Sequence, residues 1–218
     1  MSGIYTSSFR QQDMQILQKL KPIRQLFDSY IICTIENNYV IIDQHAAHER
    51  IQFEKLREAN SNKDILKSQY LIQPMSFPIK SSKEFDILSK NIQNIQKFGF
   101  KSEFGPENTF VVRAVPTFSY RRVYPSFIKK LKDILLNIEN PHIIESRIFE
   151  LIACHSAIKA NRKLTIKMMR HLIKQLSAVK NPWKCPHGRP IIKELYLSSD
   201  SPLNSQVKHE LDKQFKRT

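Results

Sequence analysis

The sequence predicts an α+β fold with two lobes, and three features lead to that prediction. β-branched and aromatic runs near the start are separated by turn residues, which is typical of an antiparallel hairpin. A strand–helix–strand–strand run in the middle of the chain is compact enough to form a smaller, inserted lobe. Much of the rest has the periodicity of amphipathic helices, and 218 residues suffice for one large domain or two small lobes.

The N-terminal part is predicted to pass from a polar tail into a hairpin and then a helix. Residues 1–22 are rich in Ser, Gln and Lys, which indicates a tail or linker. Strands are predicted at 25–34 and 39–42, because both are β-branched and aromatic and a turn-like Glu-Asn-Asn stretch lies between them. Asp43 ends the second strand, and residues 46–59 are predicted to form a helix with one apolar side.

The central segment is predicted to be the inserted lobe. Residues 68–79 form a strand whose two prolines place it at a sheet edge or interrupt it. Residues 82–98 have helical spacing, with serines in position to cap the first turn and a glycine after the end. Two further strands, 101–103 and 109–115, lie on either side of a Gly-Pro turn.

The last part of the chain is predicted to be mainly helical, apart from a loop in which three prolines and a glycine disfavour regular structure. The predicted elements are helices at 125–138, 143–160 and 166–179, the loop 181–190, a strand at 191–197 and a basic helix at 207–216.

The net charge of +15 favours a polyanionic partner, most often nucleic acid. From His155 to Thr218 there are 14 Lys and Arg against 4 Asp and Glu, so about two-thirds of the net charge lies there. A generally Lys-rich and Asn-rich proteome is the plainer explanation of a basic chain. Four glycines and no GxxxxGK[ST] run argue against a Rossmann or P-loop nucleotide site.

Three cysteines are too few, and odd in number, for a disulfide framework, which favours a reducing compartment. No apolar run approaches the roughly 20 residues that span a bilayer, and the N-terminus has no secretory signal. The expected location is the cytoplasm (the bacterial cytosol, or the nucleus of a eukaryote), with no membrane partner.

Asp43, His45 and Glu49 lie at a strand-to-helix junction, and their carboxylate and imidazole groups are of the type that ligates transition metals. His45 and Glu49 are four residues apart, so they share one face of the helix start. The alternative is that Asp43 only caps the helix and Glu49 is an ion-pair partner. His48 and Glu54 project from other faces and are expected to serve the fold.

Cys185 and His187 add a thiolate and an imidazole in a loop made rigid by prolines, and Cys154 in a helix of small residues is a candidate third partner. Cys33, in an apolar strand, is expected only to fill space. Thiolate and imidazole favour zinc, whereas carboxylate and water positions admit manganese or magnesium. One or two ions are compatible with this set.

These residues fall in motifs that resemble those of the endonuclease-active MutL family of DNA mismatch-repair proteins. Residues 43–54 match the pattern DQHA(x)2E(x)4E, residues 153–160 resemble the family's ACRSAIKA-type helix, and residues 185–190 reproduce its CPHGRP box. His155 departs from the family, which usually has Arg or Lys there. The resemblance covers roughly Ile23 to Arg217 and implies the family's C-terminal dimerisation and endonuclease domain.

The resemblance implies a zinc or manganese site that nicks one strand of duplex DNA, with Asp43 and Glu49 catalytic. Lys159 and Arg189 would hold the DNA backbone. ATP would bind only to an N-terminal region of the family outside this sequence. The implied metal ligands are Asp43, His45, Glu49, Cys154, Cys185 and His187.

A fourth motif, at residues 69–74, resembles the family's QxLIxP segment, which is similar to a sliding-clamp-binding peptide. Gln69, Leu71, Ile72 and Pro74 would then dock on the DNA polymerase clamp as an added strand. The alternative is an ordinary edge strand that buries its leucine and isoleucine.

The predicted organisation is a tail (1–22), a dimerisation and endonuclease lobe (23–60 and 123–218) and a regulatory, clamp-binding lobe (61–122). The expected partners are duplex DNA, a second copy of the chain or a paralogue, the clamp and a MutS-family mismatch recognition protein. Two alternatives stay open, namely a metal-binding, DNA-associated dimerisation module without nuclease activity and a basic nucleic-acid scaffold without metal. Metal analysis and manganese-dependent nicking distinguish the three.

Overall fold

The structure, a computed structural model, describes residues 14–35, 38–61, 67–117, 125–138 and 140–195. The helices are α1 (Met14–Lys19), α2 (Gln44–Ser61), α3 (Ser82–Lys97), α4 (Pro125–Asn137), α5 (Pro141–Ser156) and α6 (Ile166–Leu176). The strands are β1 (Lys21–Leu26), β2 (Tyr30–Ile35), β3 (Asn38–Asp43), β4 (Ser68–Pro78), β5 (Lys101–Gly105), β6 (Thr109–Pro116) and β7 (Ile192–Leu195). Helices combined with antiparallel sheets confirm the α+β class.

The chain divides into two compact units, which are residues 1–48 with 158–218 (unit 1) and residues 49–157 (unit 2). The predicted lobe boundaries were 60 and 123, so α4 and α5 were assigned to the larger lobe, whereas they lie in unit 2. The roles assigned to the lobes stay predictions. The predicted helix at 207–216 lies outside the described residues.

Unit 1 is built on a four-stranded antiparallel sheet of order β1-β2-β3-β7. β2 and β3 pair in continuous register from Tyr30 with Asp43 to Ile35 with Asn38. Helix α6 packs against β1, and α1 packs against α6. The predicted tail therefore holds a helix, because Leu17 and Leu20 are buried there.

The predicted strand over 25–34 is two strands, because the chain turns between β1 and β2. Phe27 and Asp28 both have a left-handed backbone, with φ of 50° and 47°, and the N–H of Ser29 donates to the carbonyl of Leu26 at 3.1 Å. Two left-handed central residues are the geometry of a type I′ hairpin turn. The sequence concealed this turn, since Phe27 is an unusual residue for a left-handed position and the turn contains no glycine.

Unit 2 contains the three-stranded sheet β4-β6-β5 and the helices α3, α4 and α5. Its core includes Phe100, Phe110 and Phe149, all at most 1% exposed. The serine cap of α3 was predicted correctly, since Ser81 Oγ accepts from the N–H of Glu84 at 3.2 Å.

Helix α5 ends at Ser156, whereas the sequence predicted that it would continue to Ala160. The last helical bond joins the N–H of Ala157 to the carbonyl of Ala153 at 2.9 Å, and the backbone of Ala157 is then extended. The next residue, Ile158, makes its backbone hydrogen bonds to side chains of α2 instead of to α5. Those bonds replace the helical ones and account for the early end.

Candidate metal centre

The pairing of β3 with β7 brings two of the sequence motifs to one end of the sheet in unit 1. Ile42 pairs with Ile192, and the N–H of Asp43 donates to the carbonyl of Ile191 at 2.9 Å. The run that begins at Asp43 therefore starts where the loop that carries Cys185 and its neighbours ends. Antiparallel pairing thus places segments about 150 residues apart side by side.

The loop before β7 is a tight turn that presents a thiol and an imidazole together. The N–H of Gly188 donates to the carbonyl of Cys185, and the N–H of Cys185 donates to the carbonyl of Arg189, both at 2.9 Å. Gly188 has φ 83°, which favours glycine. The ligand atoms of Cys185 and His187 lie within 4.8 Å of each other, with Cys185 buried and His187 exposed.

His45 and His48 bind the backbone of the same residue with opposite ring tautomers. Nδ1 of His45 lies 2.8 Å from the carbonyl of Ile158, which only accepts, so this nitrogen carries the proton and Nε2 has the lone pair. Nδ1 of His48 accepts from the N–H of Ile158 at 2.9 Å. His45 is therefore oriented so that Nε2 can bind a metal. The Nδ1 lone pair of His48 is instead used in a hydrogen bond that stabilises the fold.

Asp43 caps helix α2, as the plainer interpretation of the sequence expected. Its Oδ1 accepts from the N–H of Ala46 at 2.9 Å. A carboxylate has two oxygens, so capping through Oδ1 is compatible with a further role for Oδ2.

Unit 2 holds a second pair of ligand atoms. A carboxylate oxygen of Glu49 and Sγ of Cys154 lie within 4.8 Å of each other. The Glu49 side chain is 0% exposed, and burial of an ionised carboxylate is costly unless another charge or hydrogen bond compensates it. Glu49 follows His45 by one turn of the same continuous helix.

Three other residues of metal-ligand type have roles in the fold. Glu54 pairs with Arg50 at 3.8 Å, one helical turn away. Burial raises the pKa of the Cys33 thiol to about 12, so it stays protonated and fills space in β2. His155, the departure from the family motif, lies against Phe127 with ring centroids 4.6 Å apart.

The two residues expected to hold DNA are both exposed in unit 1. Lys159 begins the segment between Ile158 and α6, and Arg189 lies in the turn before β7. The backbone carbonyl of Lys159 accepts from Nε2 of Gln44 at 3.3 Å.

Two glutamines that the sequence reasoning did not single out fix this segment. Gln25 on β1 accepts from the N–H of Leu164 at 2.9 Å and donates to the carbonyl of Arg162 at 2.8 Å. It also donates to the side chain of Gln44, which is 0% exposed. A polar residue at an apolar strand position was the available signal, since buried amides need partners.

The clamp-like motif lies on β4, an edge strand of unit 2, as the prolines predicted. Gln69 pairs with Val115 of β6, and the ladder is then interrupted between Tyr70 and Met75. Leu71 is half-buried and packs on the core, whereas Ile72 is 104% exposed. An ordinary edge strand was expected to bury both its leucine and its isoleucine. Leu71 agrees with that alternative, whereas the exposed Ile72 does not.

No helix in the described ranges is both long enough and apolar enough to cross a bilayer. The fold is thus an α+β domain. Thiol, imidazole and carboxylate side chains lie near the end of its four-stranded sheet where β3 pairs with β7.

The chain belongs to the family of MutL C-terminal dimerisation domains, whose sequence profile matches residues 23–164. It is 36% identical over 206 residues to the DNA mismatch repair protein MutL of Clostridium tetani, covering 92% of this chain and 31% of the relative. It is 34% identical over 179 residues to the MutL of Halothermothrix orenii, covering 81% of this chain and 27% of the relative. The chain thus spans less than a third of either relative's length.

Proposed function

We propose that the chain is the metal-dependent endonuclease and dimerisation domain of a MutL-type mismatch repair protein, and that it nicks one strand of duplex DNA. The observation that supports the proposal is the pairing of β3 with β7, in which the N–H of Asp43 donates to the carbonyl of Ile191, directly after the loop that contains Cys185 and His187. This grouping combines acidic and thiolate ligands, whereas structural zinc sites are usually built from thiolates and imidazoles alone.

The residues present fit a zinc or manganese ion, and magnesium is compatible with the carboxylates. His45 is held in the tautomer that a ligand needs, and each unit supplies a pair of close ligand atoms. We propose as the metal ligands the residues that the family resemblance implies, namely Asp43, His45, Glu49, Cys154, Cys185 and His187. A bound divalent ion would neutralise charge on the phosphoryl oxygens and acidify the attacking water.

The protein side chains would position the DNA and move the proton. Lys159 and Arg189 are exposed cations that would hold phosphates of the DNA backbone. Oδ1 of Asp43 is fixed by the helix cap, so Oδ2 has a defined position from which to accept a proton of water. Glu49, buried on the next turn of α2, would hold a metal ion through its carboxylate.

Nicking of supercoiled plasmid in manganese tests the proposal. Asp43→Asn keeps an oxygen for the helix cap and removes the charge, so we expect nicking to fall on the order of 100-fold or more with folding intact. Asp86→Asn makes the same change at an exposed position of α3 and serves as the control. Undiminished nicking by folded Asp43→Asn would reject the catalytic assignment.

The second candidate is a metal-binding, DNA-associated dimerisation module without nuclease activity. The capping bond of Asp43 favours it, because that bond gives the acidic residue a structural task. Bound zinc without nicking in zinc, manganese or magnesium would support this candidate.

We further propose partners for the two units. The sheet of unit 1 has half-buried apolar residues, Ile23, Tyr39 and Ile41, packed against Leu26 and Ile32, which suits a homodimer interface. In unit 2 the exposed Ile72 suits docking on a sliding clamp, with Gln69, Leu71 and Pro74 beside it. A MutS-family protein and a cytosolic location complete the proposed mismatch-repair setting.

A further inference from the structure

Residues 158–193 of unit 1 form a basic segment without Asp or Glu. From residue 151 to residue 193 the sequence contains ten Lys and Arg and no Asp or Glu. Four of these cations, Arg162, Lys163, Lys167 and Arg170, are exposed on the loop before α6 and on its first turns. With no carboxylate on the segment to offset them, these cations repel one another, so the arrangement is poorly explained by stability.

The loop that carries the first of these cations is held from inside by amide side chains. Nε2 of Gln44 donates to the carbonyl of Arg162 at 3.2 Å, and Gln25 donates to the same carbonyl at 2.8 Å. Asn161 has a left-handed backbone, with φ 63°. The carbonyl of Arg162 is thus bound by both glutamines, while the side chains of Arg162 and Lys163 are exposed to solvent. These hydrogen bonds fix the backbone that carries the two cations.

Helix α6 continues the basic surface. Met169, Leu172, Ile173 and Leu176 are buried. The exposed side carries the cations Lys167, Arg170 and Lys174, together with the partly exposed Ile166 and Met168. Lys167 and Lys174 are seven residues apart, which is about 10 Å along the helix. Such a span matches several phosphates of a duplex.

An exposed aromatic residue lies next to this loop. Gln44 Nε2 also donates to the carbonyl of Asp28 at 2.7 Å, and Ser29 Oγ accepts from the N–H of Asn161 at 3.4 Å, so the β1–β2 turn is tied to the loop. At that turn Phe27 is 59% exposed with φ 50°. A bulky residue in the left-handed region costs stability, and its exposed ring recovers little by packing.

We propose that the loop at 159–164, the exposed side of α6 and the ring of Phe27 form a duplex DNA-binding platform. The cations would contact phosphates, and Phe27 would contact base or sugar surface, a combination that nucleic-acid-binding proteins use. The proposal rests on the proposed function for the identity of the polyanion and adds to it the surface that grips the duplex. It extends the DNA contacts beyond Lys159 and Arg189.

The test is the binding of a short labelled duplex across a salt series in EDTA, where neither metal nor nicking contributes. For Arg162→Ala/Lys163→Ala we expect about tenfold weaker binding and a log–log salt slope smaller by about 1.8, since each lost phosphate contact removes about 0.9. Lys83→Ala/Lys90→Ala removes two exposed cations from α3 and should change neither. Equal loss in both variants would overturn the proposal.

Phe27→Asn separates function from stability, because Asn tolerates a left-handed backbone. We expect its unfolding midpoint to rise while duplex affinity falls about fivefold with the salt slope unchanged. Unchanged affinity in this variant would contradict the role of the ring.

Failure of the DNA-binding platform and failure of the proposed endonuclease function give different results. A wild-type chain that nicks plasmid, with loop variants that bind like wild type, would overturn the platform alone. A chain that binds duplex through the loop and never nicks would support the platform and reject the endonuclease. Binding to phosphatidylserine vesicles with no binding to duplex would overturn the platform in favour of a membrane surface.

Discussion

At the scale of single residues, the backbone of Ile158 is held on both of its polar groups by histidines one turn of α2 apart. The carbonyl accepts from His45 and the N–H donates to His48. One interaction leaves Nε2 of His45 with a lone pair for a metal, and the other anchors the segment that leads to Lys159. The helix therefore couples a candidate ligand to a candidate DNA-binding residue through hydrogen bonds alone.

Substituting each histidine separately should distinguish metal binding by His45 from the anchoring of Ile158 by His48. We expect His45→Ala to weaken metal affinity at least tenfold, the lower range for a disturbed metal site. His48→Ala should cost about 1 kcal/mol of unfolding free energy and increase hydrogen exchange at the amide of Ile158. Metal titration and exchange measurements on both variants check this. Equal effects of the two substitutions on metal affinity would contradict the division.

At the scale of elements, β4 combines a packed residue and an exposed residue within one motif. Leu71 packs on the core of unit 2, whereas Ile72 lies where β4 leaves its pairing with β6. A large apolar side chain that contacts solvent over its whole surface contributes little to folding and is available to a partner.

Ile72→Ala should therefore affect binding without affecting folding. We expect its unfolding free energy to stay within about 0.5 kcal/mol of wild type, while affinity for a sliding clamp falls. Leu71→Ala should lower the unfolding free energy by about 1 kcal/mol or more, because it removes packed methyl groups. Urea unfolding and surface plasmon resonance on the clamp measure both, and undiminished clamp binding by Ile72→Ala would argue against docking at this motif.

Local sequence patterns predicted the elements whose own residues determine them. Helix α3, with its serine cap, and the edge strand β4 with its prolines are examples. The predicted ends of elements were wrong where contacts distant in sequence, or a turn without glycine, determine the structure. Helix α5 stops early because α2 binds Ile158, and the turn at Phe27 forms without a glycine.

The candidate site was predictable by residue type and order but not by geometry. Cys185 and His187 are recognisable as candidate metal ligands by residue type alone. The pairing of β3 with β7, which brings their loop next to Asp43, depends on the folded sheet. The partners of Gln25 could not be predicted from the sequence, because two of them are backbone groups almost 140 residues away.

At the scale of the whole molecule, unit 1 contains the sheet face that suits self-association. Ile41→Lys places a charge on that face, so we expect a dimer to become a monomer in light scattering. Ile143→Lys makes the same change at an exposed position of α5 and should leave the dimer intact. A monomeric wild type, or a dimer in both variants, would contradict the assignment of this face.

The proposed function requires that both Cys154 and Cys185 bind the metal, and zinc content per chain after dialysis in buffered metal tests this requirement most directly. Cys185→Ala and Cys154→Ala each remove a thiolate from one pair, and Cys33→Ala removes a buried thiol from β2 as the matched control. If both thiolates bind the metal, each of the first two substitutions lowers zinc content relative to the control, and the double variant loses no more zinc than the more severe single variant. Losses that add in the double variant, or zinc content equal to the control in all three, would contradict it.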